Sequence, residues 1–496
     1  MDCFLGIDIG TFESKGVIVD ASGRVLAQAA RPHEMIVPRP GWAEHRPEED
    51  WWGDFAFLSR ALLAQGVEAR RIAGVAVSAI GPCMAPVDAS GAPLMNGVLY
   101  GVDTRATAEI ASLNAEIGEA EVLARGGNAL TSQSVGPKIL WLRRNRPELW
   151  AKTARILTST SFLTLRLTGE AVIDHYTAAN FTPLYDIEAQ GWRTDLEGIC
   201  DAAMLPRLMW SNEIAGRVTE AAAAETGLLA GTPVTCGTID AAAEAVSVGV
   251  RSPGEMMMMM GSTIFIILVT ERRLSDPRLW HAPWLFPGRH AAMAGLATSG
   301  TLTHWFRDAF ARELPRESAF AALGAEAEAA PPGARGLLCL PYFSGERTPI
   351  HDPKAKGAFF GLDLTHGRGE MYRAALEGIA AATRHVTETY AEAGAAPEAV
   401  FAVGGGVKNR VWLQATADMT GLPHRLRRIS LGAAYGDAFL AALALGAARP
   451  EDIEDWNPSE AEIAPVRRPE YEAQYPLFRA LYERTKEIAA ALGGEG

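Results

Sequence analysis

The sequence predicts an α/β protein of two lobes, and three observations carry that prediction. Short β-branched runs alternate with Ala-rich stretches along the chain, as strands separated by helices do. An apolar run, a Gly-Thr turn and a second apolar run open the chain in "FLGIDIGTFESKGVIVD"; the same pattern returns near Glu255 in "EMMMMMGSTIFIILVT". The 496 residues leave about 250 for each half, enough for a sizeable core in both.

The elements follow in order. Strands are expected at residues 5–9, 16–19 and 74–77. "EEDWWGDFAFLSRALLA" spaces its apolar residues as a helix does, behind an acidic first turn. "RVTEAAAAETGLLAGTPVTCG" reads as a helix capped by Gly227, a loop, and a strand from Pro233. The five consecutive methionines read as a core strand, because an unbranched thioether fills irregular space. "AALGAEAEAAPPGARG" is a helix stopped by Pro-Pro-Gly, "GLLCLPYF" and "FAVGGG" are strands running into turns, and "EYEAQYPLFRALYERTKEIAAAL" is a long amphipathic helix.

The formal charge of −13 argues against nucleic acid or an anionic membrane as the main partner. Five scattered cysteines with no C-x-x-C pair read as buried thiols of a reducing compartment. No basic segment precedes an apolar one at the start, and the longest apolar stretch is broken by Gly-Ser-Thr, so a cytoplasmic protein is expected.

Glycine turns after strands suit phosphate, since backbone N–H groups converge on oxygens with no Cβ in the way. The chain has such turns at Gly10-Thr11, Gly261-Ser262-Thr263 and Gly404-Gly405-Gly406. The dipeptide Gly-Lys is absent, which excludes a Walker A loop, and "GGGVKN" puts Asn409 where a dinucleotide fingerprint needs glycine. Two aspartates suit phosphoryl transfer, which needs a metal and a proton acceptor. Asp8 ends the first strand, where it can hold a hydrated Mg²⁺ or simply face solvent beside a hairpin. Asp240, in "TCGTIDAAAEA", stands where a strand hands over to a helix, as a base or as a plain helix cap.

Taken together and in this order, the motifs resemble the FGGY family of carbohydrate kinases, within the actin/hexokinase/Hsp70 superfamily. The resemblance runs through "GIDIGT", "PGWAEHRPEEDWW", "LRLTGE", "TGLLAGTPVTCGTIDAA", "PYFSGERTP", "RAALEGIA" and "VGGGVKN". It implies two actin-like (ribonuclease-H-like) lobes, each a mixed sheet with flanking helices, dividing at residues 1–248 and 249–496 around a cleft. It implies ATP and Mg²⁺, Asp240 as base and Asp8 at the metal. Thr11, Ser14 and Lys15 match the first phosphate loop and Gly261, Ser262 and Thr263 the second. Gly300 and His304 border the nucleotide, and Gly404, Gly405 and Asn409 match the adenosine loop. Members are often dimers, so a homodimer is the implied assembly.

The departures concern the acceptor. Where xylulose kinases carry Gln-Met-His and glycerol kinases Gln-Arg-Glu, this chain has Ile80-Gly81-Pro82, which excludes glycerol. In "LYGVDTR", Asp103 and Arg105 are expected as the polar wall of the sugar site, or as a surface ion pair. Ser161-Phe162 replaces the common Asp-Tyr, and Glu13 must point away from any phosphate. The expected activity is phosphorylation of a ketopentose such as D-xylulose. The alternatives are a ribulose or other ketose or polyol kinase, a catalytically silent sugar sensor, and an actin- or Hsp70-like ATPase. The last needs a peptide-binding or polymerising extension, and none is visible.

Overall fold

A computed structural model describes residues 2–492. Its first sheet has seven strands: β1 (Cys3–Ile9), β2 (Glu13–Asp20), β3 (Val25–Pro32), β4 (Ile72–Ala79), β5 (Ile214–Arg217), β6 (Pro233–Thr235) and β7 (Thr238–Ile239). They lie in the order β5-β6-β4-β1-β2-β3, with β7 paired to β4. The second sheet also has seven: β8 (Glu255–Met260), β9 (Ile264–Thr270), β10 (Trp280–Pro283), β11 (His290–Leu296), β12 (Ala399–Val403), β13 (His424–Arg427) and β14 (Ser459–Ile463). Their order is β10-β11-β9-β8-β12-β13-β14. Apart from the extra edge strand β10, order and strand sense agree between the sheets. Each is an antiparallel meander, then two parallel neighbours, then an antiparallel edge.

The expected hairpins are therefore β1–β2 and β8–β9. Helix α1 (Gly53–Leu63) follows the acidic turn, whose residues Pro47–Trp52 wind more loosely, as a π-helical turn. Further along are α2 (Asp240–Ser247), α3 (Gly300–Phe310), α4 (Ala319–Ala329), α5 (Arg368–Glu392), α6 (Arg410–Thr420), α7 (Ala433–Ala444) and α8 (Pro469–Leu492). Among the described residues, no helix is long and apolar enough to cross a membrane.

Side chains alternate across each strand, and the core divides accordingly. Leu5, Ile7 and Ile9 face a core shared with α1, whereas Phe4 faces the opposite side. Met256, Met258 and Met260 pack towards α3, α5 and α6, whereas Met257 faces the other core. That other core is continuous: it joins Phe4 and Ala76 of the first sheet to Met257 and Phe401 of the second, through Ala242, Ala245, Ala434 and Ala438 of α2 and α7. The middle layer is thus two short Ala-rich helices, one from each half of the chain.

Backbones touch directly in this layer. A Cβ on Gly6 would lie 1.9 Å from the carbonyl oxygen of Ala434, and one on Gly436 would lie 1.9 Å from that of Ala243. No rotamer change relieves such contacts, so the helices must move apart. We expect Gly6→Ala and Gly436→Ala each to destabilise the protein by about 1–3 kcal/mol or more. Gly324 in α4 has no atom within 4 Å of an added Cβ. Gly324→Ala is expected to be neutral or stabilising by about 0.4–1 kcal/mol. Urea unfolding of the three variants checks both statements.

Candidate active site

The parallel strands β1, β4 and β7 end side by side, with Ala79 registered against both Ile9 and Ile239. Carboxylates gather there. Asp8 lies opposite Lys15 on one neighbouring strand and opposite Ser78 on the other. The Ser78 hydroxyl donates to Asp437 Oδ2 of α7 at 2.7 Å and lies 3.3 Å from Asp8 Oδ1. Asp240 opens α2, where its Oδ1 accepts the Ala241 N–H at 2.7 Å, and it remains partly accessible. Glu244 follows one turn later on the same helix.

Burial raises the pKa of all four acids, and repulsion from neighbouring carboxylates adds to it for Asp8, Glu244 and Asp437. Asp240 is pushed up to about 6 by burial, and Glu244 to about 7 by burial with the Asp240 charge adding and Lys15 opposing. Asp8 is held well above its usual range by burial, then by Asp240 and Glu244. Asp437 is raised likewise by burial, with the charges of Asp8 and Asp240 adding.

The first glycine turn is braced from beneath by two histidines the sequence reading did not select. His33 places Nε2 3.0 Å from the Gly10 carbonyl oxygen and Nδ1 2.8 Å from Asp54 Oδ2. Burial opposes a charge on His33, but the Asp54 carboxylate outweighs it and raises the pKa. His45 places Nε2 3.1 Å from the Thr11 carbonyl oxygen while its Nδ1 accepts from Trp51 Nε1 at 3.2 Å. That arrangement fixes a neutral ring protonated at Nε2, in keeping with a pKa pushed down to about 4, mainly by burial. His45 stands inside "PGWAEHRPEEDWW", but its contact with the turn could not be read from it, and His33 belongs to no recognisable motif.

One expectation for this turn is corrected. Ser14 does not face the crevice: its buried hydroxyl donates to Asp54 Oδ2 at 2.6 Å, on the α1 side of the sheet. Strand alternation is the reason, since Ser14 and Lys15 must point to opposite faces. Glu13 shares the face of Lys15, its carboxylate 3.1 Å from the ammonium with both half exposed. The Thr11 hydroxyl lies 3.5 Å from that of Tyr100.

In the second lobe the Gly261-Ser262-Thr263 turn is stitched to the start of α3. The amides of Ser299 and Thr301 donate to the Ser262 carbonyl, both at 3.1 Å, and that of Gly300 to the Gly261 carbonyl at 3.0 Å. A Cβ on Gly300 would stand 2.5 Å from that carbonyl oxygen, which explains the glycine. His304 is exposed on the next turn of α3, its ring edge-on to Phe320. Gly404 passes close over the Met260 carbonyl with φ of 90°, and Gly405 faces open space. Asn409 caps α6, accepting the Trp412 N–H at 3.1 Å.

The acceptor side is apolar where the expected wall was polar. The Ile80 amide donates to the Ile9 carbonyl at 2.7 Å, and Gly81 packs on Ile239, next to Asp240. Asp103 and Arg105 are corrected as well: neither wall nor surface pair, they form a fully buried ion pair at 2.7 Å. Arg105 also reaches Glu44 at 2.8 Å and lies over the rings of Trp42 and Trp141. Asp103 also accepts the Ala43 N–H, so the pair fixes the turn that presents Tyr100. Tyr100 is the residue of "LYGVDTR" that faces the site; burial raises its phenol pKa and the Asp240 charge adds. Ser161 and Phe162 are core residues, the latter edge-on to Trp51.

A divalent cation fits the acid cluster on this structure's own terms. Asp437 Oδ1 is buried without a hydrogen-bond partner, and Lys15 is the cation that faces Asp8 and Glu244. Among the described residues no three acids stand close enough to ligate an ion directly, so a hydrated ion suits the spacing.

Two mixed sheets of one topology, a glycine turn on each and an ionisable carboxylate at their junction define an actin-like phosphotransferase. Residues 3–247 match the N-terminal domain, and residues 256–445 the C-terminal domain, of the FGGY family of carbohydrate kinases. The chain belongs to that family. It is 30% identical to the xylulose kinase of Bacillus subtilis, over 99% of both chains. It is 31% identical to that of Escherichia coli, over 98% of this chain and all of the other. The crystal structure of xylulose kinase from Rhodospirillum rubrum superposes with a TM-score of 0.91 at 33% identity, over 98% of this chain and 99% of the other. Like its family, it is a carbohydrate kinase that uses ATP.

A carboxyl with a folded pKa above its unfolded value binds its proton more tightly in the native state, so stability falls as pH rises through the folded value. Glu244, at about 7 against an unfolded value near 4.5, therefore makes the nucleotide-free protein lose stability progressively from about pH 4.5 to about pH 7. Glu244→Gln should flatten that part of a thermal-unfolding profile. A slope identical to wild type would show that the carboxyl is not buried among like charges.

Proposed function

We propose that this enzyme transfers the γ-phosphoryl group of ATP to a hydroxyl of a ketopentose, D-xylulose, giving the 5-phosphate; the full-length xylulose kinase relatives support that acceptor. The observation that carries the chemistry is Asp240: a partly accessible carboxylate, ionised at neutral pH, at the strand ends beside the first glycine turn. A pKa near 6 leaves it basic enough to accept a proton in the transition state. The acceptor oxygen bonds to the γ-phosphorus, the bond to the β-phosphate oxygen breaks, ADP leaves, and the hydroxyl proton passes to Asp240.

The other residues position and neutralise. Thr11 and the amides of the Gly10 and Gly261–Thr263 turns hold phosphate oxygens, and Lys15 exchanges Glu13 for them. Asp8 and its acidic neighbours would hold Mg²⁺ through water, where it would supply positive charge against the phosphate oxygens. Gly300, His304, Gly404, Gly405 and Asn409 line the nucleoside side. Ile80, Gly81 and Pro82 give the sugar an apolar floor, with the Tyr100 hydroxyl as its polar contact. The same reading makes the enzyme a cytoplasmic homodimer without nucleic-acid or membrane partners. Five buried free thiols support the compartment, and a charge of −13 supports the absence of polyanions.

Asp240→Ala is expected to lower kcat by about 10²–10⁴-fold with unchanged MgATP affinity. Most of the turnover surviving would remove Asp240 as the base. In the wild type, kcat/KM should fall about tenfold per pH unit below a value near 6. An ADP-release screen across pentuloses, hexuloses and polyols should rank D-xylulose first. A polyol or hexulose ahead of it would replace the acceptor, and no turnover with intact ATP binding would leave a silent sensor.

A further inference from the structure

The loop 344–348 carries a charge that the chemistry above does not use. It is bolted to the end of β11: the Ser344 amide donates to Thr298 Oγ1 at 3.1 Å, and the Thr348 amide to the Gly295 carbonyl at 3.1 Å. Glu346 is buried beneath it, its Oε1 accepting the amides of Ala297 at 2.7 Å and Arg347 at 2.6 Å. The strand end that holds this loop continues into Ser299 and Gly300, which are bonded to the second phosphate turn. Arg347 is exposed and forms no ion pair among the described residues, and Glu346 Oε1 is taken up by backbone amides. Its Nη1 stands 3.9 Å from where a Cβ of Gly295 would be, which places the guanidinium over the strand end. On the opposite lobe is Tyr100, close enough to feel both this guanidinium and the Asp240 carboxylate.

We propose that Arg347 is a catalytic residue of the second lobe, its guanidinium binding the oxygens of the phosphoryl group in flight between ATP and the acceptor. The first lobe faces that group with Asp8, Asp240 and Glu244, Asp437 of α7 lies beside them, and Lys15 is already paired with Glu13. A planar donor fork mounted on a rigid loop supplies the missing positive charge where negative charge develops, with little reorganisation. Arg347 takes no part in bond making, so the proton still goes to Asp240 and the electron pair to ADP.

The proposal rests on the phosphotransfer reading, and the test separates the two. Full-length wild type, Arg347→Ala, Arg347→Gln and Asp240→Ala are compared in D-xylulose phosphorylation, in sugar-free ATP hydrolysis, and in binding of MgADP with and without aluminium fluoride. Arg347→Ala should lose about 10²–10³-fold in kcat and in hydrolysis, keep its MgADP affinity, and lose the tightening that aluminium fluoride gives. Added guanidinium should restore part of the rate. Arg347→Gln, which keeps the length and polarity of the loop, should show the same pattern if the alanine variant folds poorly. Wild-type rates in both arginine variants, or equal losses of MgADP and MgADP–fluoroaluminate binding, would overturn the role. Full activity in Asp240→Ala as well would overturn the phosphotransfer reading itself.

Discussion

Helix α7 lies against strand β1 and against helix α2 with no side chain between the backbones, at Gly6 and Gly436. The site depends on that constraint. Asp8 is two residues beyond Gly6 on the same strand face, and Asp437 is the neighbour of Gly436. Asp240 and Glu244 flank Ala243, the residue whose carbonyl Gly436 meets. Bringing three backbones together therefore brings four carboxylates together, and the Ser78 hydroxyl ties α7 to the end of β4. A larger residue at either glycine would part the helices and spread the acids.

Gathering carboxylates costs stability unless cations answer them. The fold answers sparingly. Lys15 faces Asp8 but is shared with Glu13, and the His33 charge serves Asp54 and the underside of the first turn. The nucleotide-free crevice is therefore strained electrostatically, which favours a cation. Phosphate alone meets repulsion from these carboxylates, whereas phosphate arriving with a metal brings the cation that answers them.

Most of the architecture was legible in the sequence because it is written in local patterns. Both hairpins, the Gly227 cap and the C-terminal helix follow from periodicity and turn chemistry. The glycine turns were legible for the same reason. Strand alternation was also available in principle, and it decides against Ser14 once the face of Lys15 is known. What the sequence hid was long-range. Asp437 stands 359 residues from the Ser78 hydroxyl that binds it. In "LYGVDTR" the charged residues drew the eye, but charges that close pair with each other when buried, and the tyrosine is left facing the site. His33 and His45 serve carbonyls of a turn more than twenty residues away, which no motif encodes.

The central claim is that a triphosphate lies between the Gly10 and Gly261–Thr263 turns with Asp240 free to take the acceptor's proton. A crystal structure with D-xylulose, Mg²⁺ and a non-hydrolysable ATP analogue tests it most directly. The account predicts an Asp240 oxygen within about 3 Å of a sugar hydroxyl that is in line with the terminal phosphorus. A nucleotide seated away from both turns, or a sugar whose hydroxyls all lie beyond the reach of Asp240, would contradict it.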